Sequence, residues 1–249
     1  MLNILLCGCG GRMGAAVAAA ATAAGDRIVA GVDVNPAAAA PYPVFLSPCE
    51  FEGRADVMID FSHHSALPGL LAYAEKTNTP LVVATTGHTD EEMAMMREAA
   101  QRVPIFFSRN MSLGINLLIA LCRRAAATLG ADFDIEIIEK HHNQKLDAPS
   151  GTALMIADAL CEDAPHPYVY DRHAERRKRE RGEIGLHAVR GGTIVGEHEV
   201  MFCGPNEIVT LSHSAASREV FATGALRAAR FMQGKGPGFY NMDDVIGNL

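Results

Sequence analysis

A histidine, a lysine and the start of a helix fall together in the run Glu139-Lys140-His141-His142-Asn143-Gln144-Lys145-Leu146-Asp147-Ala148-Pro149-Ser150-Gly151-Thr152-Ala153. His141 can give or take a proton near neutral pH, which few other side chains do without a large pKa shift. Lys145 adds a compact positive charge shortly after it. Beyond Pro149, Ser150-Gly151-Thr152 opens an apolar-periodic segment (Ala153, Leu154, Ile156, Ala157, Leu160). Ser150 therefore reads as an N-cap, and the next backbone N–H groups lie unpaired at the positive end of a helix. That is a seat for a carboxylate. A substrate with two carboxylates and an unsaturated carbon between them would use the whole run: one anion on the helix start at Ser150, Gly151 and Thr152, the other near Lys145 and His142, and His141 as acid. Taken alone, paired histidines beside a lysine are equally well polar residues at a strand end, so the context decides.

The context begins at the N-terminus. Leu2 to Leu6 form a short apolar run that reads as a buried strand, leading into Gly8-Cys9-Gly10-Gly11-Arg12-Met13-Gly14 and then an alanine-rich helical stretch, Ala15 to Ala24. Glycines let the backbone turn sharply and approach a pyrophosphate, whose charge is met by the helix N-terminus. Arg27 to Val32 reads as the next strand, and Asp33 stands at its end, about twenty residues on, where an acid accepts ribose hydroxyls. The spacing departs from the common fingerprint: Met13 stands where G-x-G-x-x-G would want glycine, and Gly14 comes one residue late. Strand, glycine turn, helix and acid together predict a dinucleotide site.

Strand and helix patterns then alternate. Asp56–Phe61, Pro80–Ala84 and Val103–Phe107 are strand-like, and His63–Thr77 and Asp90–Arg102 helical, which implies a parallel sheet wrapped by helices. Ligands of such a sheet sit off the carboxyl ends of its strands, so Phe61-Ser62-His63, Ala84-Thr85-Thr86-Gly87 and Ser108-Arg109-Asn110-Met111 should line the cofactor crevice. After a long apolar helix from Ser112 to Leu129 the pattern changes. Phe133–Ile138 is a period-two strand that delivers His141 and Lys145, and Gly192–Phe202 and Glu207–Ser214 are strand-like runs joined around Gly204-Pro205-Asn206. The fold class is α/β: an N-terminal Rossmann-like doubly wound parallel sheet plus a second α+β domain with an open mixed sheet. A cleft between the two domains would hold cofactor and substrate face to face.

Composition excludes other classes. The 249 residues carry a net charge of -7 with 49% hydrophobic and 20% charged residues, an ordinary globular balance that opposes nucleic-acid binding. No stretch approaches the roughly twenty uninterrupted apolar residues of a membrane span, and the N-terminus runs straight into a strand rather than a signal peptide, so a cytoplasmic protein is expected. Cys7, Cys9, Cys49, Cys122, Cys161 and Cys203 are scattered without a C-x-x-C pair. They read as free thiols, and no metal site is expected. The run Arg172 to Arg181 mixes its basic residues with Glu175 and Glu180, as a solvated or cofactor-adjacent loop would. Met93, Met95 and Met96 look like packing. His63, His64, His187, His198 and His213 show no spacing suited to metal.

The motifs closely resemble those of the dihydrodipicolinate reductase family. The likeness covers nearly the whole chain: GCGGRMG, ATTG, HHNQKLDAPSGTA, Gly185 to Gly192 with Ile194 to His198, and Gly236 to Tyr240 with Met242 to Val245. It implies reduction of the cyclic product of dihydrodipicolinate synthase to tetrahydrodipicolinate, with loss of water and hydride delivery from NADH or NADPH. His141 would donate the proton, Lys145 would bind and polarise the dianion, and His142, Gly151 and Thr152 would position its carboxylates. Gly8, Cys9, Gly10, Gly11, Arg12, Met13 and Asp33 would hold the cofactor together with Phe61, Ala84, Thr85, Thr86, Ser108, Arg109, Asn110 and Met111. The segments at 84–87 and 108–111 correspond to family segments that contact the nicotinamide and its ribose, although Ala84, Ser108 and Arg109 depart from the usual residues. The final helix, Glu219 to Gln233, would return to the first domain as in the family, giving a nucleotide domain of 1–112 completed by 222–249 and a substrate domain of 113–221.

Residues 187 to 214 would form an open sheet covered by partner chains, through which the family forms tetramers; exposed faces and edges are association sites. Asp33 opposes a 2′-phosphate, and Val34 and Asn35 supply no cation after it, which leaves Arg12; NADH should serve at least as well as NADPH. Two alternatives remain open. A dehydrogenase acting on aspartate or its semialdehyde would lack the whole HHNQKLDAPSGT block, and a non-catalytic nucleotide sensor could lose His141 or Lys145.

Overall fold

The apolar run at the N-terminus forms β1 (Asn3–Cys7), the glycine turn leads into α1 (Arg12–Ala23), and β2 (Arg27–Val32) follows. The structure, a computed structural model, describes residues 1–35, 40–161, 166–174 and 176–247. Along the chain come β3 (Val44–Phe45), β4 (Val57–Asp60), α2 (Leu67–Thr77), β5 (Leu81–Val83), α3 (Asp90–Ala99) and β6 (Pro104–Phe107). Next are α4 (Leu113–Leu129), β7 (Asp134–His141), α5 (Gly151–Leu160), β8 (Tyr168–Val169), β9 (Ile184–Arg190), β10 (Gly196–Cys203) and β11 (Ile208–Ala215). Last come α6 (Glu219–Phe231), β12 (Gly238–Tyr240) and α7 (Met242–Ile246). The chain divides into two compact units, one made of residues up to Leu113 together with those from Glu219 on, the other running from Gly114 to Arg218.

In the first unit the strands lie in the order β12-β6-β5-β4-β1-β2-β3, every neighbouring pair parallel. Successive side chains point to opposite faces, so each central strand feeds two cores. Ile4, Leu6, Ile59 and Phe106 pack with Val17 and Ala21 of α1 and Ala222, Ala225 and Leu226 of α6. Leu5, Cys7, Met58, Val83 and Ile105 pack with Leu67 and Leu70 of α2 and Met96 of α3. Burial on both faces explains why these strands read as unbroken apolar runs rather than alternating ones. Each fully buried Leu, Ile or Met contributes about 1.5–3 kcal/mol. The strand order reverses between β2 and β4, which flank β1, so the glycine turn after β1 sits at the switch point where such sheets bind ligands.

The second unit holds a mixed sheet in the order β11-β10-β7-β9-β8; β7 runs parallel to β9 and antiparallel to β10. One face is covered by helices: Ile115, Leu118, Ile119 and Cys122 of α4, and Ala153, Ile156 and Ala157 of α5, pack on Ile137, Leu186, Val200 and Phe202. The segment Leu113–Asp132 is long and apolar, with mean hydropathy 1.3. Its buried residues recur at i, i+3, i+4 and i+7, the stripe of a helix laid on a core. On β10 buried and half-buried residues alternate, and on β11 half-buried and exposed ones do, so one side of these strands faces away from the helices.

Three details differ from expectation. The strand expected from Gly192 starts at Gly196, because residues 191–195 form a turn, with Gly192 at φ +49°, that carries the chain across the end of β7. β9 was foreseen only as part of the sheet expected from residue 187, without a strand of its own beginning at Ile184; its pairing with β7 joins segments far apart in sequence. Most of the 172–181 run is exposed as expected, Arg176, Arg177, Lys178 and Arg181 included, but two of its arginines are half-buried in ion pairs: Arg172 with Glu183, and Arg179 with Asp134 and Glu136. Glu175 lies outside the described residues. Arg172 and Arg179 thereby tie this solvated run to the starts of β7 and β9.

Candidate active site

β7 places the histidine. Ile135, Ile137, Glu139 and His141 share one side of the strand by period-two alternation, and the last three of these are buried. His141 is thus part of the strand itself, two residues from Glu139 on the same face, and its Nδ1 lies 2.6 Å from Glu139 Oε2. Arg190, at the end of β9, donates to both Glu139 oxygens, at 2.8 and 2.7 Å. The backbone N–H of Ser150 donates to Glu139 Oε1 at 3.0 Å. One carboxylate therefore ties the histidine to the start of α5.

That helix start is built as the sequence predicts. The Ser150 hydroxyl caps α5 by accepting from the Ala153 N–H at 3.1 Å, and no acidic residue occupies the first turn. A carboxylate is already seated beside it. Asp147 Oδ1 lies 2.9 Å from Lys145 Nζ, and the Lys145 ammonium holds the Asp147 carboxyl below its ordinary pKa against a smaller burial effect, with the Gly151 N–H adding to the lowering. The Lys145 N–H donates to the His142 carbonyl, and Arg218 stands 3.4 Å from His142 Nε2. At this corner Lys145, Arg190 and Arg218 meet the carboxylates of Asp147 and Glu139, one cation in excess.

β10 closes the cluster. A Cβ on Gly196 would come within 3.1 Å of His141 Nε2, so the glycine leaves that nitrogen clear. His198, 4% exposed, stands with its ring 5.3 Å from that of His141 and its Nε2 3.1 Å from the Ser150 hydroxyl. Burial pushes its pKa down to about 4, with the charge of His141 acting the same way. His141 is also lowered: burial dominates, Glu139 opposes it, and Lys145 and Arg190 add to it. Burial alone would raise Glu139, but its hydrogen bonds from Arg190, His141 and Ser150 outweigh that and hold it below the usual carboxylate range. Sequence reasoning gave no role to Glu139, Arg190, Gly196, His198 or Arg218. The signal for Glu139 was there: it shares the parity of Ile135 and Ile137, the apolar side of its strand.

The first unit carries the nucleotide turn. Gly8 adopts φ +75°, and a Cβ there would lie 2.4 Å from the Phe61 carbonyl oxygen; one on Gly14 would lie 2.3 Å from that of Gly8. Gly14, one residue later than the common pattern, is therefore the glycine that lets α1 close onto the turn. Gly11 is the N-cap of α1 and supplies no side-chain acceptor, and the first turn, with Arg12 and Met13, contains no acid. The leading N–H groups are left for an anion, which is the fit a pyrophosphate needs. Asp33 Oδ2 accepts from the Gly10 N–H at 2.9 Å, fixing the acid at the lip of the turn. Cys9 packs its sulfur against Gly31.

The segments expected to line the crevice all follow the carboxyl ends of β4, β5 and β6. Asp60, buried at the end of β4, has its pKa raised by burial against the Ser62 hydroxyl and N–H, which donate to its Oδ1 and pull the other way. Ser108 donates its hydroxyl to the Asn110 carbonyl at 2.7 Å, and the Asn110 side chain accepts from the Ser112 N–H at 2.8 Å, which makes 108–112 a self-braced buried loop with Arg109 turned outward.

A parallel sheet with an anion-ready glycine turn, together with a unit that presents a histidine beside a carboxylate seat, defines the class as a nicotinamide-dependent oxidoreductase. Comparison with known proteins narrows this. The profile for the dihydrodipicolinate reductase N-terminus matches residues 2–111 and that for its C-terminus residues 114–246. The 4-hydroxy-tetrahydrodipicolinate reductase of Caldanaerobacter subterraneus subsp. tengcongensis is 53% identical over 249 residues, 99% of this chain and 98% of the relative. That of Clostridium botulinum (strain Eklund 17B / Type B) is 49% identical over 99% of each chain. Among solved structures, the dipicolinate-bound dihydrodipicolinate reductase from Paenisporosarcina sp. TG-14 superimposes with a TM-score of 0.83 at 25% identity, covering 99% of this chain and all of the other. The chain belongs to the dihydrodipicolinate reductase family.

Proposed function

We propose that this chain reduces 4-hydroxy-tetrahydrodipicolinate to tetrahydrodipicolinate on the route to diaminopimelate and lysine. One observation carries the assignment to this site: Glu139 bonds both the histidine that can act as acid and the N–H that opens the carboxylate seat. In this reading the substrate carboxylates take the place of Asp147 between Lys145 and the start of α5, held by Ser150, Gly151, Thr152 and His142. A bound nicotinamide supplies the hydride; one proton enters from His141 and water leaves. The lowered pKa of His141 suits this order of events, because an arriving dianion favours the charged imidazolium and loads the acid only when substrate is present.

The first unit would hold the cofactor through Gly8 to Met13, Asp33, Phe61, Ala84 to Thr86 and Ser108 to Met111. NADH serves at least as well as NADPH, since Asp33 opposes a 2′-phosphate and Val34, 94% exposed, offers it no charge. Unit boundaries support the division of labour into a nucleotide part completed by the end of the chain and a substrate part between. The chain works in the cytoplasm as a homotetramer; its cysteines are free, as a reducing compartment keeps them.

The test is turnover followed at 340 nm with substrate generated in place by the upstream synthase. His141→Gln is expected to lower kcat by about 10²–10⁴-fold with little change in KM, because a general acid acts in the transition state. Lys145→Ala is expected to damage both kcat and KM. Near-normal kcat in His141→Gln overturns the assignment.

A further inference from the structure

Glu139 is a charged side chain on the apolar side of a strand, fully shielded from solvent. Each of its oxygens takes two hydrogen bonds: Oε2 from His141 Nδ1 and Arg190, Oε1 from Arg190 and the Ser150 N–H. Arg190 is braced in turn by the carbonyls of Val189 and Asp147. Replacing a buried ion pair by apolar residues is often neutral or stabilising, so stability is a weak reason for such a pair to stand here.

Its chemistry toward His141 is more specific. An ionised carboxylate only accepts, so the nitrogen facing it must carry a hydrogen. That fixes Nδ1 as the donor and leaves Nε2 as the nitrogen whose proton comes and goes. Nε2 is also the nitrogen that Gly196 keeps uncovered. Of the other titratable and charged groups facing the ring, Lys145 and Arg190 of β9 are donors only, and His198 of β10 engages Ser150 through Nε2, while Glu139 Oε2 at 2.6 Å is the acceptor placed on His141 Nδ1.

We infer that Glu139, clamped by Arg190, is a positioning residue that holds His141 as the Nδ1–H tautomer, so that Nε2 is the atom that transfers the proton. This rests on the reading of His141 as the acid. In an acid–base pair of this type, exchange of the carboxylate for its amide leaves the geometry in place but presents an NH₂ group to the ring and selects the wrong tautomer.

The experiment joins two readouts. In ¹⁵N-histidine-labelled full-length protein, NMR at a pH where His141 is neutral is expected to show Nδ1 protonated and Nε2 bare. In Glu139→Gln the tautomer is expected to invert, kcat to fall by about 10²–10⁴-fold with the cofactor KM unchanged, and the double variant with His141→Gln to be no slower than His141→Gln alone. Gly196→Ala, which sets a methyl group against Nε2, is expected to lower kcat without changing the tautomer, and serves if Glu139→Gln does not fold. A wild-type spectrum with Nε2 protonated, or losses that multiply in the double variant, overturns the inference. If His141→Gln is slow and Glu139→Gln turns over normally, the positioning role fails while the acid stands; if His141→Gln turns over normally, the acid itself fails, whatever the tautomer.

Discussion

A histidine beside two cations holds its proton poorly until an anion arrives, and this gives a pH signature. Burial, then Lys145 and Arg190, lower His141 against the pull of Glu139. The acid must be protonated to act, so kcat/KM, which reports the free enzyme, is expected to fall as pH rises through a value below the ordinary histidine pKa of about 6.5. In the complex the dianion raises the same group, so kcat should break at a higher pH. Lys145→Ala removes a lowering charge and should move the break in kcat/KM upward. A kcat/KM profile flat across the acid range sinks the assignment. Much of this cluster could be read from residue types: a histidine, a lysine and an N-cap serine announce themselves by spacing. Glu139 and Arg190 did not, because their meaning lies in a pair whose carboxylate is buried, and they come from strands that meet only in the fold.

At the scale of elements, β1, the turn, α1 and β2 were plain in the sequence because each rests on local signals, an apolar run, glycines and a helical stretch. β9 was not, since its outer half, with His187 and Arg190, is polar and its pairing with β7 is long-range. The proposed cofactor choice is tested at the unit formed by β2 and α1. Asp33 closes β2 against the turn, and Val34 beside it is almost bare of protein contact. An arginine placed there meets no steric objection, so Val34→Arg is expected to shift the ratio of kcat/KM values toward NADPH by about 1–3 kcal/mol, the range of a charge-assisted hydrogen bond. Wild-type enzyme that favours NADPH more than about tenfold would show instead that another residue, Arg12 first among them, holds the phosphate.

For the whole molecule, the mixed sheet has α4 and α5 on one face, and the other carries Ile138, Met201 and Val189, the last 44% exposed, among polar residues. The proposed tetramer would be built on this face. Light scattering at micromolar concentration is expected to give four times the 26.6 kDa mass of the chain, and a monomer there rules this out.

The discontinuity of the first unit has a consequence in time. During synthesis β1 to β6 emerge first, yet α6, whose Ala222, Ala225 and Leu226 complete the core around Val17 and Ala21, and the edge strand β12 come last. The unit from Gly114 to Arg218 is continuous and leaves the ribosome whole in between. Domains fold as units once their residues are available, so the continuous unit is expected to fold before the discontinuous one that begins ahead of it in sequence. Until then α1 alone covers the side of the parallel sheet that it later shares with α6, and the apolar surface meant for α6 stays open to solvent.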